Sequence, residues 1–208
     1  MNQVLITPIF LLAAVAVTLA PGPDILFVIA KGVSQGRTTA IVAATGFVCG
    51  LSIHTALAVT GLSALILASA VAFTVVKIAG GAYLVYLGIR AWCSRGLISL
   101  PAPGTNHSPR RIFTQAFCMN VLNPKVAIFF LAFLPQFTHP DRGHLPAQFL
   151  ILGLCFALQT WVIFSLVGAF SSVLGRSINR RPQLARTLDL LAGSIFVALG
   201  IRLAFTRN

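Results

Sequence analysis

Acidic residues are scarce in this sequence of 208 residues, which has three acidic side chains against fifteen lysines and arginines. Charged residues of both signs make up only 9% of the chain, whereas they supply about 25% of an ordinary soluble domain. Hydrophobic residues reach 57%, and the mean hydropathy is +0.93. A chain this short cannot hide so much apolar surface from water, because protein surfaces are already more than half apolar. The composition excludes an ordinary soluble domain.

Signatures of catalysis and metal binding are also scarce. An HExxH motif is absent, and the four cysteines have neither a CxxC spacing nor the spacing of a metal site. The basic residues are not interleaved with aromatic residues on a polar segment, as single-stranded nucleic acid would require. We therefore expect no enzyme activity, no cofactor, no metal and no nucleic-acid partner.

Long apolar runs dominate the rest of the chain. Each is about 20 residues long, the length of a helix that crosses the hydrocarbon of a bilayer. We predict an all-α polytopic membrane protein with the lipid bilayer as its surroundings, in which residues 1–208 form a single transmembrane domain. The six predicted helices run from about Val4 to Ala30, Thr38 to Gly61, Ala70 to Trp92, Ile112 to Phe137, Pro146 to Leu174 and Thr187 to Phe205.

Lysines and arginines are distributed unevenly between the two sides of these helices. The loops that follow helices 1, 3 and 5 carry ten of them, and the opposite side carries three. Cytoplasmic loops of membrane proteins carry an excess of lysine and arginine. Both termini are therefore predicted to face away from the cytoplasm.

Two stretches share one pattern, a proline followed by a charged residue and an apolar run. The first contains Pro23-Asp24, and the second contains Pro124-Lys125, 101 residues later. Proline removes a backbone donor and breaks or kinks a helix. In a membrane, protein or a water-filled cavity must satisfy the freed backbone groups. Broken helices at corresponding positions of two halves are typical of a transporter's binding site.

A second correspondence, at an offset of 112 residues, relates the stretch from Ala79 to Arg90 with the stretch from Leu191 to Arg202. Each half then holds three helices. Because three is an odd number, the two copies must lie in opposite orientations. We predict two inverted repeats, over about residues 1–95 and 112–208, joined by a basic cytoplasmic linker over about residues 93–111.

The alignment of the halves also pairs charged residues inside the apolar segments. Asp24 corresponds to Lys125, and Lys77 corresponds to Asp189. A charge at the bilayer centre costs at least about 2.5 kcal/mol, so it is usually paired, in a cavity or functional. Lys77 and Asp189 lie near the starts of their helices, where snorkelling to the interface is an alternative.

A zwitterionic ligand would suit this arrangement of opposite charges at two breaks. Asn123 is a good N-cap and Pro124 suits the first position of a helix, so free N–H groups are expected there. Lys125 and this helix start are predicted to hold a carboxylate. Asp24, with carbonyl groups near Ala20, is predicted to hold an ammonium group, or a proton in the empty carrier.

Helix 2 carries Gly46, Gly50 and His54 at a spacing of four residues, which places them on one stripe. Small residues at this spacing allow close packing of helices, either within one subunit or in a homodimer. His54 is either a hydrogen-bonded histidine of the core or a group that titrates near neutral pH.

The sequence resembles the LysE/RhtB family of bacterial amino-acid exporters along nearly its whole length. The matching residues include Pro21-Gly22-Pro23-Asp24, Gly36-Arg37, the stripe of helix 2, Gly61 to Leu65, Lys77 with Gly80 to Leu84, Gly88, and Asn123-Pro124-Lys125 with Phe129 to Phe137.

The resemblance implies a six-helix carrier of the bacterial inner membrane. Such a carrier expels small neutral amino acids such as homoserine or threonine, driven by proton entry. The substrate-binding residues predicted from the motifs and this resemblance are Pro21, Gly22, Pro23, Asp24, His54, Lys77, Asn123, Pro124 and Lys125.

Two alternatives are a small-solute channel and a transmembrane thiol-electron carrier. The thiol-electron carrier also breaks two helices with prolines, but it needs a cysteine beside each break. This chain has Asp24 and Lys125 at those positions, which favours a carrier of charged small molecules.

Overall fold

The computed structural model describes residues 6–20, 22–93, 108–171 and 182–205, and every regular element in these ranges is helical. The α-helices are α1 (Pro8–Leu19), α2 (Pro23–Gln35), α3 (Arg37–Leu57), α4 (Ser63–Ala68), α5 (Ala70–Cys93), α6 (Pro109–Val121), α7 (Pro124–Ile128), α8 (Leu145–Ala169) and α9 (Pro182–Phe205). Two π-helical turns (Ala58–Leu62 and Phe129–Phe133) and two 3-10 turns (Leu134–Phe137 and Pro140–Arg142) complete the described elements.

Several of these helices are long and apolar enough to cross a membrane. In the described part of the chain, they are the continuous helical stretch Arg37–Ala68, the stretch Val71–Cys93 and α8. Two bent pairs each make one further candidate if the pair counts as a single span. The axes of α1 and α2 meet at 58°, and those of α6 and the helical run Pro124–Phe137 meet at 46°. The prediction of an all-helical protein with several apolar helices is confirmed.

Both bends occur where the sequence predicts a broken helix. Helix α2 begins at Pro23 after the extended residue Gly22, and α7 begins at Pro124 after the extended residue Asn123. Proline at the first position costs a helix little, because the N–H group there has no partner within the helix. The first residue of the predicted Pro-Gly-Pro break, Pro21, lies outside the described residues.

Several predicted boundaries are wrong. The first broken helix continues to Gln35 instead of ending at Ala30, and α9 begins at Pro182 instead of Thr187. The second helix does not end at Gly61 but continues through a π turn to Ala68, and the extended residue Ser69 separates it from α5. Glycine is tolerated within a helix at a cost of about 1 kcal/mol. The basic linker also ends earlier than residue 111, because Ser108 caps α6 and Pro109 begins it. Residues 94–107 of that linker lie outside the described part.

Four glycines bring α5 and α9 into direct backbone contact. A Cβ atom built on Gly88 would lie 2.6 Å from the carbonyl oxygen of Gly193, and one built on Gly200 would lie 2.6 Å from that of Gly81. These pairs show that α5 and α9 run antiparallel. Since only residues without a side chain allow this approach, the glycines determine how α9 lies along α5.

The glycine stripe of α3 packs within the chain. A Cβ atom on Gly46 would lie 2.5 Å from the carbonyl oxygen of Phe113 on α6, and one on Gly50 would lie 2.7 Å from the Cβ atom of Asn120. These glycines therefore bring α3 onto α6 next to the second break. They supply no surface for the possible homodimer, which stays a prediction.

Candidate substrate-binding site

Asp24 lies in the first turn of α2 and is buried, with 3% of its surface exposed. Its partner is Asn123, which stands 99 residues later in the chain. The Nδ2 atom of Asn123 donates to both carboxylate oxygens, over 2.6 Å and 2.7 Å. Hydrogen bonds to a carboxylate are stronger than those between neutral groups, so the two breaks are joined directly through this contact.

Asn123 has a second function at the start of α7. Its Oδ1 atom accepts a hydrogen bond of 3.0 Å from the backbone N–H of Lys125, which is the contact of an N-cap. With the oxygen used in this way, the amide nitrogen is turned toward Asp24. One buried side chain therefore caps one broken helix and satisfies the acid of the other.

The predicted supply of free N–H groups at the start of α7 is wrong. Pro124 has no N–H group, and that of Lys125 is bonded to the Asn123 side chain. The N–H group of Val126 donates to the carbonyl oxygen of Asn123. The positive charge that this break can offer to an anion therefore comes from the Lys125 ammonium group, with the helix dipole adding to it.

Lys125 does not pair with Asp24 directly. Its Nζ atom donates to the carbonyl oxygen of Ala20, at the end of α1, over 3.3 Å. It also lies beside Gly22, where a built Cβ atom would be 3.2 Å from Nζ. The opposite charges of the two breaks thus lie close together, but each has a neutral partner from the other break.

A narrow cavity lies on one side of these contacts. Asp24 and Lys125 border it together with Thr18, Asn120 and Thr160. The space open to the centre of a water molecule is about 10 Å³, which is room for about one water. The narrow cavity is polar on this side, but it is too small for an organic solute.

Two threonine hydroxyl groups of the narrow cavity are hydrogen-bonded to Gln159 of α8. The Oγ1 atoms of Thr18 and Thr160 lie 3.2 Å apart. Gln159 donates from Nε2 to both, over 2.8 Å and 2.9 Å. These bonds tie α1 to α8 and leave a connected set of polar groups between the narrow cavity and α8.

A wide cavity also borders the breaks. Its walls include Gly22, Pro124 and Lys125 from the breaks, with Arg90 from α5 and Asp189 from α9. The space open to the centre of a water molecule is about 560 Å³, within the usual range for sites that bind small molecules. Arg90 is exposed, so this cavity reaches the surface near the C-terminal end of α5. Lys125 borders both cavities.

His54 supports the second break from α3. It is buried, and its Nε2 atom lies 3.1 Å from the carbonyl oxygen of Asn120, to which it donates as Nε2–H. Its ring lies 5.7 Å from that of Phe130. Among the described residues that line the two cavities, His54 does not occur. The same carbonyl oxygen also accepts from the backbone N–H of Asn123, so His54 adds a second donor where α6 ends.

Lys77 belongs to neither of the two broken segments. It is buried on α5, one turn before Gly80, which packs against Ala132 of the second π turn. The described lining of both cavities does not include it. Because α5 and α9 are antiparallel, Lys77 and Asp189 lie toward opposite ends of this helix pair.

Some residues of the two cavities were not among those predicted from the sequence. Thr18, Asn120 and Thr160 border the narrow cavity, and Tyr83 and Arg90 border the wide one. Asn120 could have been found, since it lies only three residues before Asn123 in the sequence. The others carry no signal in a single sequence, because polar residues occur on many faces of these helices.

One catalytic motif does occur in the chain. The residues Gly32-Val-Ser34-Gln-Gly36 match the Gly-x-Ser-x-Gly pattern of hydrolases. That pattern has its serine on a sharp turn between a strand and a helix. Here Ser34 lies in the last turn of α2, and Gly36, with φ of 89°, makes the turn into α3. The match therefore gives no support for a nucleophile.

The family of LysE type translocators matches this chain over residues 15–207, and the chain belongs to that family. A protein of Vibrio cholerae serotype O1, described as an uncharacterized membrane protein, is 36% identical over 195 residues, 94% of each chain. The homoserine/homoserine lactone efflux proteins of Salmonella typhimurium and Salmonella typhi are each 32% identical over 199 residues, 96% of each chain. No solved structure matches this chain. The resemblance found in the sequence is confirmed, and the protein is a membrane translocator.

Proposed function

We propose that this chain is an efflux carrier for small neutral amino acids of the homoserine and threonine type. Two relatives that match 96% of the chain are efflux proteins for homoserine and homoserine lactone. The substrate would leave the cytoplasm by alternating access, in exchange for protons. We place the carrier in the bacterial inner membrane.

The observation that supports this proposal best is the position of Lys125 between two cavities of very different size. A carrier presents one binding group to a space that is wide on one side and closed on the other. The wide cavity of about 560 Å³ admits an amino acid, whereas the narrow one of about 10 Å³ does not. This arrangement fits a carrier in the state that receives its substrate.

The wide cavity is inferred to face the cytoplasm. It reaches the surface near Arg90, at the end of α5, and the loop that follows α5 is one of the three basic loops. Excess positive charge marks the cytoplasmic side. Both termini would then lie away from the cytoplasm.

An inverted repeat would explain why the two breaks lie together at one site. Shifting by the offset of 101 residues converts the contact between Asp24 and Asn123 into one between Lys125 and Gly22, and both contacts occur. Shifting by 112 residues likewise converts the pair Gly81 and Gly200 into the pair Gly193 and Gly88. Related contacts at both offsets support two halves in opposite orientations.

The roles of the two charges differ in this proposal. Lys125 would bind the carboxylate of the substrate, since it borders the wide cavity and its ammonium group donates to a neutral backbone carbonyl oxygen. Asp24 would carry the exchanged proton. It lies against the narrow cavity, where water fits and an amino acid does not.

Counterflow in proteoliposomes tests this function. Vesicles loaded with unlabelled homoserine should accumulate labelled homoserine when they contain the wild-type protein, because a carrier exchanges substrate across a closed barrier. Saturation with concentration would distinguish the carrier from a channel. Flux that neither saturates nor shows exchange would contradict the proposal, and a substrate screen with threonine and other small amino acids would define the specificity.

A further inference from the structure

The wide cavity carries an acid that the proposed function has not used. Asp189 of α9 borders this cavity together with residues of both breaks. Asp24, by contrast, borders the narrow cavity, and Asn123 donates to both of its oxygens. Among the described residues that line the wide cavity, Asp189 is therefore the source of negative side-chain charge.

The position of Asp189 is held firmly by its neighbours along α9. The indole Nε1 atom of Trp92 donates to the carbonyl oxygen of Leu190, over 3.3 Å, and to the Oγ atom of Ser194, over 3.2 Å. One turn further along, Gly193 is in backbone contact with Gly88. The helix that carries the acid is thus fixed against α5 from two points.

Asp189 is buried in the wall of the wide cavity. Only 5% of the surface of Asp189 is exposed, so the acid is part of the cavity wall and not of the outer surface. Much of the nearby cavity wall is apolar or aromatic, including Leu87 and Phe196. A carboxylate beside apolar wall residues attracts a cation more strongly than one that is fully surrounded by water.

We propose that Asp189 binds the α-ammonium group of the substrate in the wide cavity, while Lys125 binds its carboxylate. The assignment rests on the proposed efflux function and adds a specificity-determining residue to it. It defines the ligand class as small molecules with a primary ammonium group next to a carboxyl or ester carbon. Arg90, which is exposed and lies over the Tyr86 ring at 5.9 Å, is left outside this pair.

The two proposed contacts can be separated with two probes. Homoserine has both an ammonium and a carboxylate group, whereas homoserine lactone keeps the ammonium and lacks the carboxylate. Loss of Asp189 should weaken both probes, and loss of Lys125 should weaken homoserine alone. A third probe, N-acetylhomoserine, keeps the carboxylate but has no ammonium group.

The experiment measures inhibition of homoserine counterflow in proteoliposomes. We expect Asp189→Asn to raise the half-saturating concentration of homoserine and the inhibitory concentration of the lactone at least ten-fold each. Asp189→Glu should recover part of this loss, because the charge is kept. Lys125→Met should raise the value for homoserine alone. The matched control is Asp141→Asn, at an exposed acid in the 3-10 turn Pro140–Arg142, and it should behave as wild type.

Wild-type protein supplies a measurement that needs no variant. N-acetylhomoserine should inhibit at least ten-fold more weakly than homoserine. Equal inhibition by the two compounds, or wild-type values for both probes in Asp189→Asn, would overturn the assignment and leave the efflux function standing. Absence of any homoserine exchange by the wild-type protein would instead overturn the proposed function together with this assignment.

Discussion

The two helix breaks have the same backbone arrangement but differ in how the helix that follows is capped. Each starts its second helix with proline after an extended residue. At the first break that residue is Gly22, which makes no side-chain cap, whereas at the second it is Asn123, whose side chain does. The second break therefore supplies the group that satisfies both its own helix and the acid across the interface.

The charged residues of the two breaks also differ, because Asp24 is held by hydrogen bonds whereas Lys125 is accessible from a cavity. Asp24 receives two hydrogen bonds from an amide that is itself held by a helix start. The bond from Lys125 to a backbone carbonyl group is longer, at 3.3 Å, and Lys125 borders the wide cavity. The acid of the first break thus helps to hold the two breaks together, whereas the lysine of the second break is open to a solute.

Replacing Asn123 with alanine should have the largest effect on stability and transport. The second break would then lack a side-chain cap, as the first break does. A buried carboxylate left without its donor costs roughly 1–3 kcal/mol or more, and the lost cap costs about 1 kcal/mol. We expect the melting temperature in detergent to fall by several degrees and transport to be strongly impaired.

An exchange of the two side chains provides the control. In the double variant Asp24→Asn with Asn123→Asp, an amide still faces a carboxylate, and aspartate is still a good N-cap. Its melting temperature should lie above that of Asn123→Ala and near that of the wild type. Equal losses in both variants would mean that the contact between the breaks contributes little to stability.

Replacing Gly88 with alanine should have the next largest effect on stability. This variant tests a rigid contact between two helix backbones, for comparison with the contacts at the breaks. The added methyl group would lie 2.6 Å from the carbonyl oxygen of Gly193, and backbone cannot move aside easily. Overpacking of this kind typically costs about 1–3 kcal/mol. The control is Gly61→Ala, where nothing lies within 4 Å. Thermal unfolding of both variants measures the difference, and equal melting temperatures would contradict the backbone contact.

Replacing Gly22 with alanine should change stability least. The backbone there is extended, with φ of −166°, and the new methyl group would meet the flexible end of Lys125 at 3.2 Å. We expect a stability change within about 0.5 kcal/mol, together with a reduction of turnover by a few fold, because the ammonium group is displaced. Counterflow rates and melting temperatures of the same preparation test this split. A stability loss like that of Gly88→Ala would show that Gly22 is packed rigidly.

Prediction from the sequence succeeded where a signal lies within one segment. The breaks at Pro23 and Pro124 follow from the missing backbone donor of proline. The prediction failed at Gly61, where a glycine was read as the end of a helix although helices tolerate it. It also gave the start of α7 free N–H groups, which the side chain of Asn123 and the geometry of the first turn use instead.

The sequence by itself determined the helical segments, their breaks and the presence of charges beside them, because apolar length and proline act locally. Tertiary structure alone decided which charge faces which space. Successive residues of a helix point about 100° apart, so a small rotation decides whether a side chain meets a cavity or another helix. Through such packing Asp24 came to face Asn123, Lys125 came to lie between the two cavities, and Asp189 came to border the wide one.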